Sequence, residues 1–253
     1  MVRRINGESV LLVTAGRALL MQIAHPLVAA GVDQHSSFQR DRVGRLLRTL
    51  RSAYAVLLGD EQQAAHATAG IRRAHEYVAG PGYSANDPDL LLWVHAAFVD
   101  SAIDGYRRFV RPLSHREAES YYLEIARAVE AIGMPAAEMP PSLRSFDDYV
   151  EDMVATLDVG DVSRRLAHEV LELRPAFLAP ALATAGWFTT GLLPPPLRRA
   201  YGLRWTTLDA RLLAGLEVAS RAVLPRLPLP LRRPPALFMP QRTTMGRARR
   251  LRQ

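Results

Sequence analysis

The sequence predicts an all-α protein, and three observations carry that prediction. Apolar residues recur at helical spacing along most of the chain, and helix-start signals stand ahead of several of these runs. No segment holds a polar/apolar alternation between hairpin turns. With 253 residues, 49% of them hydrophobic, the chain is long enough for one sizeable core.

Taken in order, residues 8–24 read as a helix running up to His25-Pro26, where the proline kinks or ends it. From Asp41 to Leu58 the positions Val43, Leu46, Leu47, Leu50, Tyr54 and Leu57 share a face, closed by Gly59. Glu61 to Ala79 is the next helix, and AGPGY at 79–83 is a turn. The stretch NDPDLLLWVHAAFVDSAIDGYRRFV opens with Asp87 as a cap and Pro88 at the first helical position. SHREAESYYLEIARAVEAIG pairs Ser114 with Glu117 in capping-box spacing and stops at Gly133. Further helices are expected near 146–157, 161–173, 176–190 and 205–223, with no internal repeat. Residues 1–225 thus read as one helical domain. Residues 226–253, dominated by Pro and Arg, read as an extended or disordered tail.

All 32 basic residues are arginine, so lysine Schiff-base and lysine general-base chemistry are excluded. The absence of cysteine excludes disulfides, zinc–thiolate sites, iron–sulfur clusters and cysteine nucleophiles. The net charge of +7 resides in the tail, where 226–253 hold eight arginines and no acid. Residues 1–225 carry 24 arginines against 25 acids, which argues against a specific nucleic-acid-binding domain. The tail could still touch phosphate, in lipid at an anionic membrane surface or in RNA.

No secretory signal is visible in MVRRINGESV, and a cytoplasmic location is expected. The uncharged stretch Pro175 to Leu197 is long enough to span a bilayer. Its prolines and glycines would break a lipid-exposed helix, so a buried core helix is expected there, with interfacial membrane contact as the alternative.

Four histidines are site candidates. His95 has Leu91, Leu92, Phe98 and Val99 at helical spacing, so its imidazole needs a hydrogen-bond partner or a metal. His75, with Ile71, Val78 and Ala79 along its face and Arg72 beside it, suits an axial haem ligand whose propionates meet arginine. His25 precedes Pro26, which removes a backbone donor that the imidazole can replace, and His35 stands where a capping role is the simplest reading. His66, His115 and His168 lie among polar residues and read as solvated. Asp33, Asp41, Asp100 and Asp104 could support a metal, but surface carboxylates are the simpler explanation. No zinc-protease, nucleophile-elbow, P-loop or dinucleotide motif is present.

The ordered strings GRALLMQIAHPLVAAGVDQHSSFQRD, RLLRTLRSAYAVLLG, IRRAHEYVAG and YSANDPDLLLWVHAAFVDS resemble the MpaB/rubber-oxygenase (latex clearing protein) family over roughly residues 8–155, and more loosely to about 220. The resemblance implies an all-helical fold with a globin-like core. It also implies a b-type haem held by a histidine, and O2-dependent cleavage of C=C bonds in isoprenoid chains. Arg45, Arg48 and Thr49 fit the family's Arg-x-x-Lys-Thr stretch on the distal side of the haem, with arginine in place of lysine at 48. A guanidinium stays protonated and cannot abstract an allylic proton, although it can polarise O2 or hold a propionate. The family's proximal histidine corresponds best to His75, with His95 as second choice.

Two readings follow. In one the chain is a haem-dependent oxygenase using O2 on an apolar, isoprenoid-like small molecule, with HPLVAAGVDQHS as a pocket wall and His25 and His35 as polar contacts. In the other it is a non-catalytic helical protein binding an apolar ligand or partner, its arginine tail docking on anionic surfaces.

Overall fold

The computed structural model describes residues 1–35, 42–171, 179–235 and 238–239. Its longest helix is α6 (Pro88–Phe109), which begins as the sequence predicts: the Asp87 carboxylate accepts the Asp89 N–H at 3.0 Å, and Pro88 occupies the first turn. At 22 residues α6 runs for about 33 Å. Its Leu92, Trp93, Ala96, Val99, Ile103 and Tyr106 are all buried, so it is the axis of the core.

Around that axis pack a 3-10 helix (Ser9–Thr14), α2 (Ala15–Gln22), α3 (Pro26–His35), α7 (His115–Glu130), α8 (Leu143–Thr156) and α12 (Thr207–Val223). The short helix α1 (Val2–Ile5) also reaches α6. The approach is close where glycine allows it. A Cβ on Gly105 would lie 2.4 Å from the Thr14 methyl, so the 3-10 helix can sit there only because residue 105 has no side chain.

A second layer consists of α4 (Arg42–Leu58) packed on α5 (Glu61–Glu76), and of α9 (Asp161–Leu171), which packs on α3 and on α10 (Ala179–Leu192). The expected caps are present. Asp60 and Gln63 form a capping box ahead of α5, Ser114 and Glu117 another ahead of α7, and Gly133 follows α7 with φ +115. The one sheet among the described residues is a hairpin of two-residue strands, β1 (Ala79–Gly80) and β2 (Tyr83–Ser84), which is the AGPGY turn. The architecture is all-α.

The structure departs from the sequence reading at the two ends. The single helix expected over 8–24 is a 3-10 segment followed by α2, which stops at Gln22. Pro26 then starts α3 after a bend of 104°. Proline at a helix start loses no hydrogen bond, so it opens a new helix here. At the other end the body continues past residue 225. After α11 (Pro195–Ala200) and α12, the chain makes a 3-10 turn (Leu224–Arg226) and the short helix α13 (Leu229–Arg232). There Arg232 forms an ion pair with Glu8, its Nε donating to Oε2 at 3.1 Å. Glu8 is only 6% exposed, and a carboxylate so placed needs a cation. That requirement ties the start of the expected tail to the N-terminus. Residues 240–253 lie outside the described residues.

No single helix among the described residues is long and apolar enough to cross a membrane. The bent pair Ser9–Gln22 and Pro26–His35 passes by length and composition, but Leu20, Met21, Ile23 and Ala24 within it belong to the core.

Candidate functional site

A cavity of about 210 Å³ lies beside α6. Its walls are apolar: Leu19 from α2, Val28 and Val32 from α3, Leu50 and Leu57 from α4, Phe98 and Ala102 from α6, Leu166 and Val170 from α9. The 22–32 stretch is therefore a wall of the cavity, and the bend at Pro26 lets α2 and α3 cover two of its sides. Several polar residues on the walls spend their donors on the protein. Thr14 donates to the Leu11 carbonyl at 2.8 Å, Ser101 to the Ala97 carbonyl at 2.6 Å, and the Gln22 amide to the Val94 carbonyl at 3.1 Å. Asn6 donates to the Tyr121 hydroxyl at 3.1 Å. Tyr54, on the α4 wall, has its phenol pushed up to about 12 by burial. What remains facing the interior favours a hydrocarbon-like ligand.

His95 stands one turn before Phe98 and two turns before Ala102 along α6, and is not itself among the cavity walls. Its Nε2 is buried and has no hydrogen-bond partner among the described residues. Burial pushes its imidazolium down to about 3, so the ring is neutral at physiological pH and its chemistry is that of a lone-pair donor. An unsatisfied buried polar atom costs about 1–3 kcal/mol. Such an atom is a place where a ligand can supply the missing bond.

The other expected site residues are placed as follows. Thr49 lines the cavity from α4, and Arg48 beside it is exposed. Arg45 belongs to α4, but its side chain lies outside the described residues. His25 is half-buried at the bend, where its Nδ1 accepts the Leu27 N–H at 3.2 Å; burial lowers its pKa, against the pull of Asp87 and Asp89. The imidazole does replace backbone pairing next to the proline. His35, at the exposed end of α3, meets Tyr83 edge-on at 6.2 Å between ring centroids. His75 is half-buried in the last turn of α5, with its pKa lowered by burial, and Arg72 is exposed. Helix α5 packs on α4, and neither His75 nor Arg72 is among the cavity walls. Of the expected residues Thr49 and the 22–32 stretch line the cavity; His95, His75 and Arg72 do not, and His95 lies one turn along α6 from the wall residue Phe98.

Sequence reasoning missed the polar seam beside the cavity. Arg17 of α2, buried in the core, donates from Nη2 to Asp100 at 2.7 Å, from Nη1 to Ser101 at 2.6 Å and from Nε to the Leu192 carbonyl at 2.8 Å. Asp104 adds an ion pair to Arg17 at 3.7 Å and one to Arg108 at 2.8 Å. Asp100 and Asp104 are therefore neither metal supports nor free surface carboxylates, and Asp33 pairs with Arg165 at 2.7 Å. The one available signal was the i, i+4 spacing of Asp100 and Asp104 on a helix that is otherwise apolar. Among the described residues no three His, Asp or Glu side chains converge to hold a metal ion. A cofactor held through one imidazole fits this donor set, with His95 as the donor.

Comparison with known proteins gives the context. Uncharacterized proteins of Mycobacterium bovis and Mycobacterium tuberculosis are each 28% identical to the chain over 225 residues, covering 81% of it and 87% of each relative. No solved structure matches. Residues 2–224 match the family described as the ER-bound oxygenase mpaB/B'/rubber oxygenase catalytic domain, an oxygenase family, and over that length the chain belongs to it.

Proposed function

We propose that the protein is a haem b-dependent oxygenase that uses O2 to oxidise an apolar, isoprenoid-like small molecule, with His95 as the residue that would hold the haem iron. The observation that carries this reading is the buried, unpartnered Nε2 of His95 on α6, one turn from the cavity-wall residue Phe98. When bound, a histidine-ligated haem supplies the activation of O2. The neutral His95 imidazole offers the bond to iron. The apolar walls from α2, α3 and α9 exclude water and select a hydrocarbon-like substrate. On the α4 side, Thr49 lines the cavity and carries a hydroxyl as a hydrogen-bonding group. Arg48 carries a permanent charge that can hold a propionate or polarise O2 but cannot take a proton from a substrate. This favours an oxidation whose proton steps do not depend on residue 48. His75 and Arg72, on the outer helix, are the second-choice ligand and its propionate partner.

A second reading, a non-catalytic binder of a small apolar ligand, is favoured by one observation. The cavity of about 210 Å³ is below the roughly 300–1,000 Å³ of ligand pockets, so a porphyrin needs the surrounding helices to part. One experiment separates the two. The purified, haem-supplemented protein is expected to show a Soret band at about 400 nm that shifts on adding dithionite. His95→Ala is expected to lose haem stoichiometrically while His75→Ala retains it. Loss in His75→Ala alone reverses the assignment, and a colourless wild-type protein leaves only the binding reading.

A further inference from the structure

Helix α12 carries an apolar stripe on its outer face. Leu208, Leu212, Leu216 and Val223 recur at helical spacing, with Gly215 and Ala219 between them, and the first three are 64%, 53% and 46% exposed. A helix at the surface of a soluble core normally buries its apolar stripe and turns polar residues outward. Here the inner face is already supplied: Leu213 is buried in a cluster with Phe109 and Leu192, and the Ser220 hydroxyl donates to the Phe109 carbonyl at 2.8 Å.

The charges make the pattern specific. The two acids of α12 are both engaged within the fold. Asp209 accepts from the Trp187 indole at 3.0 Å and from the Thr206 hydroxyl at 2.6 Å, and Glu217 accepts from Arg108 at 3.0 Å. Both are therefore spoken for, while Arg204 and Arg211 flank the stripe exposed. The apolar exposure continues into α13 with Leu229 and Leu231, beside the exposed Arg226 and Arg233. From Arg204 to the end of the chain there are eleven arginines, and Asp209 and Glu217 are the only acids.

We propose that this face of α12, with α13 beside it, docks on the headgroup region of an anionic lipid bilayer. Leucines on one face and arginines around them match the two components of such a surface, the acyl boundary and the phosphate layer. A second copy of the chain fits less well, because a twofold contact would set Arg204 and Arg211 against their own counterparts with no free acid to neutralise them. The chain's own arginine-rich end does not complement a basic face either. This surface deepens the expectation of membrane contact by the basic tail, placing the contact on a folded helix, and it is independent of the haem reading.

The test is sedimentation of the full-length protein with vesicles of phosphatidylcholine alone, and with phosphatidylglycerol mixed in. Circular dichroism and light scattering monitor folding and oligomeric state. Wild type is expected to bind the anionic vesicles only, with affinity falling as salt rises. Leu212→Glu with Leu216→Glu is expected to lower binding by about tenfold or more while the protein stays folded. Arg211→Glu is expected to weaken it too, and a chain ending at residue 239 to keep most of it. The proposal is overturned if wild type ignores anionic vesicles or if the double variant binds as well as wild type. It is also overturned if the chain ending at 239 loses all binding, or if wild type is a dimer that the double variant converts to a monomer. Binding to an acidic protein with none to vesicles would give the face to a protein partner instead.

Discussion

Two stripes of α6, offset by one residue, serve different ends. Leu92, Ala96, Val99 and Ile103 are all buried in the core, whereas Leu91, His95 and Phe98 keep accessible surface, and Phe98 and Ala102 line the cavity. Both stripes have the spacing i, i+4, i+7, i+11 and similar hydrophobicity. One is packed to stabilise the fold. The other leaves space and includes a polar atom without a partner. The contrast separates residues packed to density from residues that border a cavity.

Variants can break or sharpen that contrast. The largest loss is expected at the seam between the stripes: Arg17→Met leaves Asp100 without its cation and should lower unfolding free energy by about 3–5 kcal/mol in urea titrations. Ile103→Ala on the packed stripe should cost about 2–5 kcal/mol. Phe98→Ala removes a larger side chain yet is expected to cost less, about 1–2 kcal/mol, because the cavity already withholds contacts from that ring. If Phe98→Ala proves the more damaging of the two, the cavity is closed in solution and the contrast fails. Ala53→Phe, which fills the α4 wall, should alter stability by less than about 1.5 kcal/mol and, on the proposed haem reading, abolish haem uptake in the absorption spectrum.

The smallest effect concerns acid. Arg111, followed by the Ser114 backbone, holds the Glu117 carboxyl down at about 2, from its usual 4.5. Stability from this depressed group is fully present above pH 4.5 and drains away as pH falls toward 2. Glu117→Gln should therefore be slightly less stable at neutral pH and show a flatter acid limb between those values in thermal melts.

Much of this arrangement was legible in advance where the physics is local. Asp87-Pro88, Ser114 with Glu117, and Gly133 announced helix ends because caps act within a turn or two. The apolar neighbours of His95 announced the burial of its Nε2 for the same reason. His75 showed a comparable set of neighbours, yet it sits half-buried on α5, which packs on α4. Nothing within a few residues of His75 encodes which neighbour its helix finds. The pairing of Glu8 with Arg232 was equally invisible, and so the body ran further than composition suggested.

By itself, then, the sequence determined the helices, their caps, the absence of thiol and lysine chemistry, and the oxygenase family. Helical spacing, missing residue types and motif order need no third dimension. Only the tertiary structure decided which imidazole nitrogen is left buried without a partner, that Asp100 meets Arg17 from 83 residues away, and that the acids of α12 are engaged within the fold while its leucines face out. These depend on how helices pack, which is set by the summed burial of many side chains rather than by any short stretch.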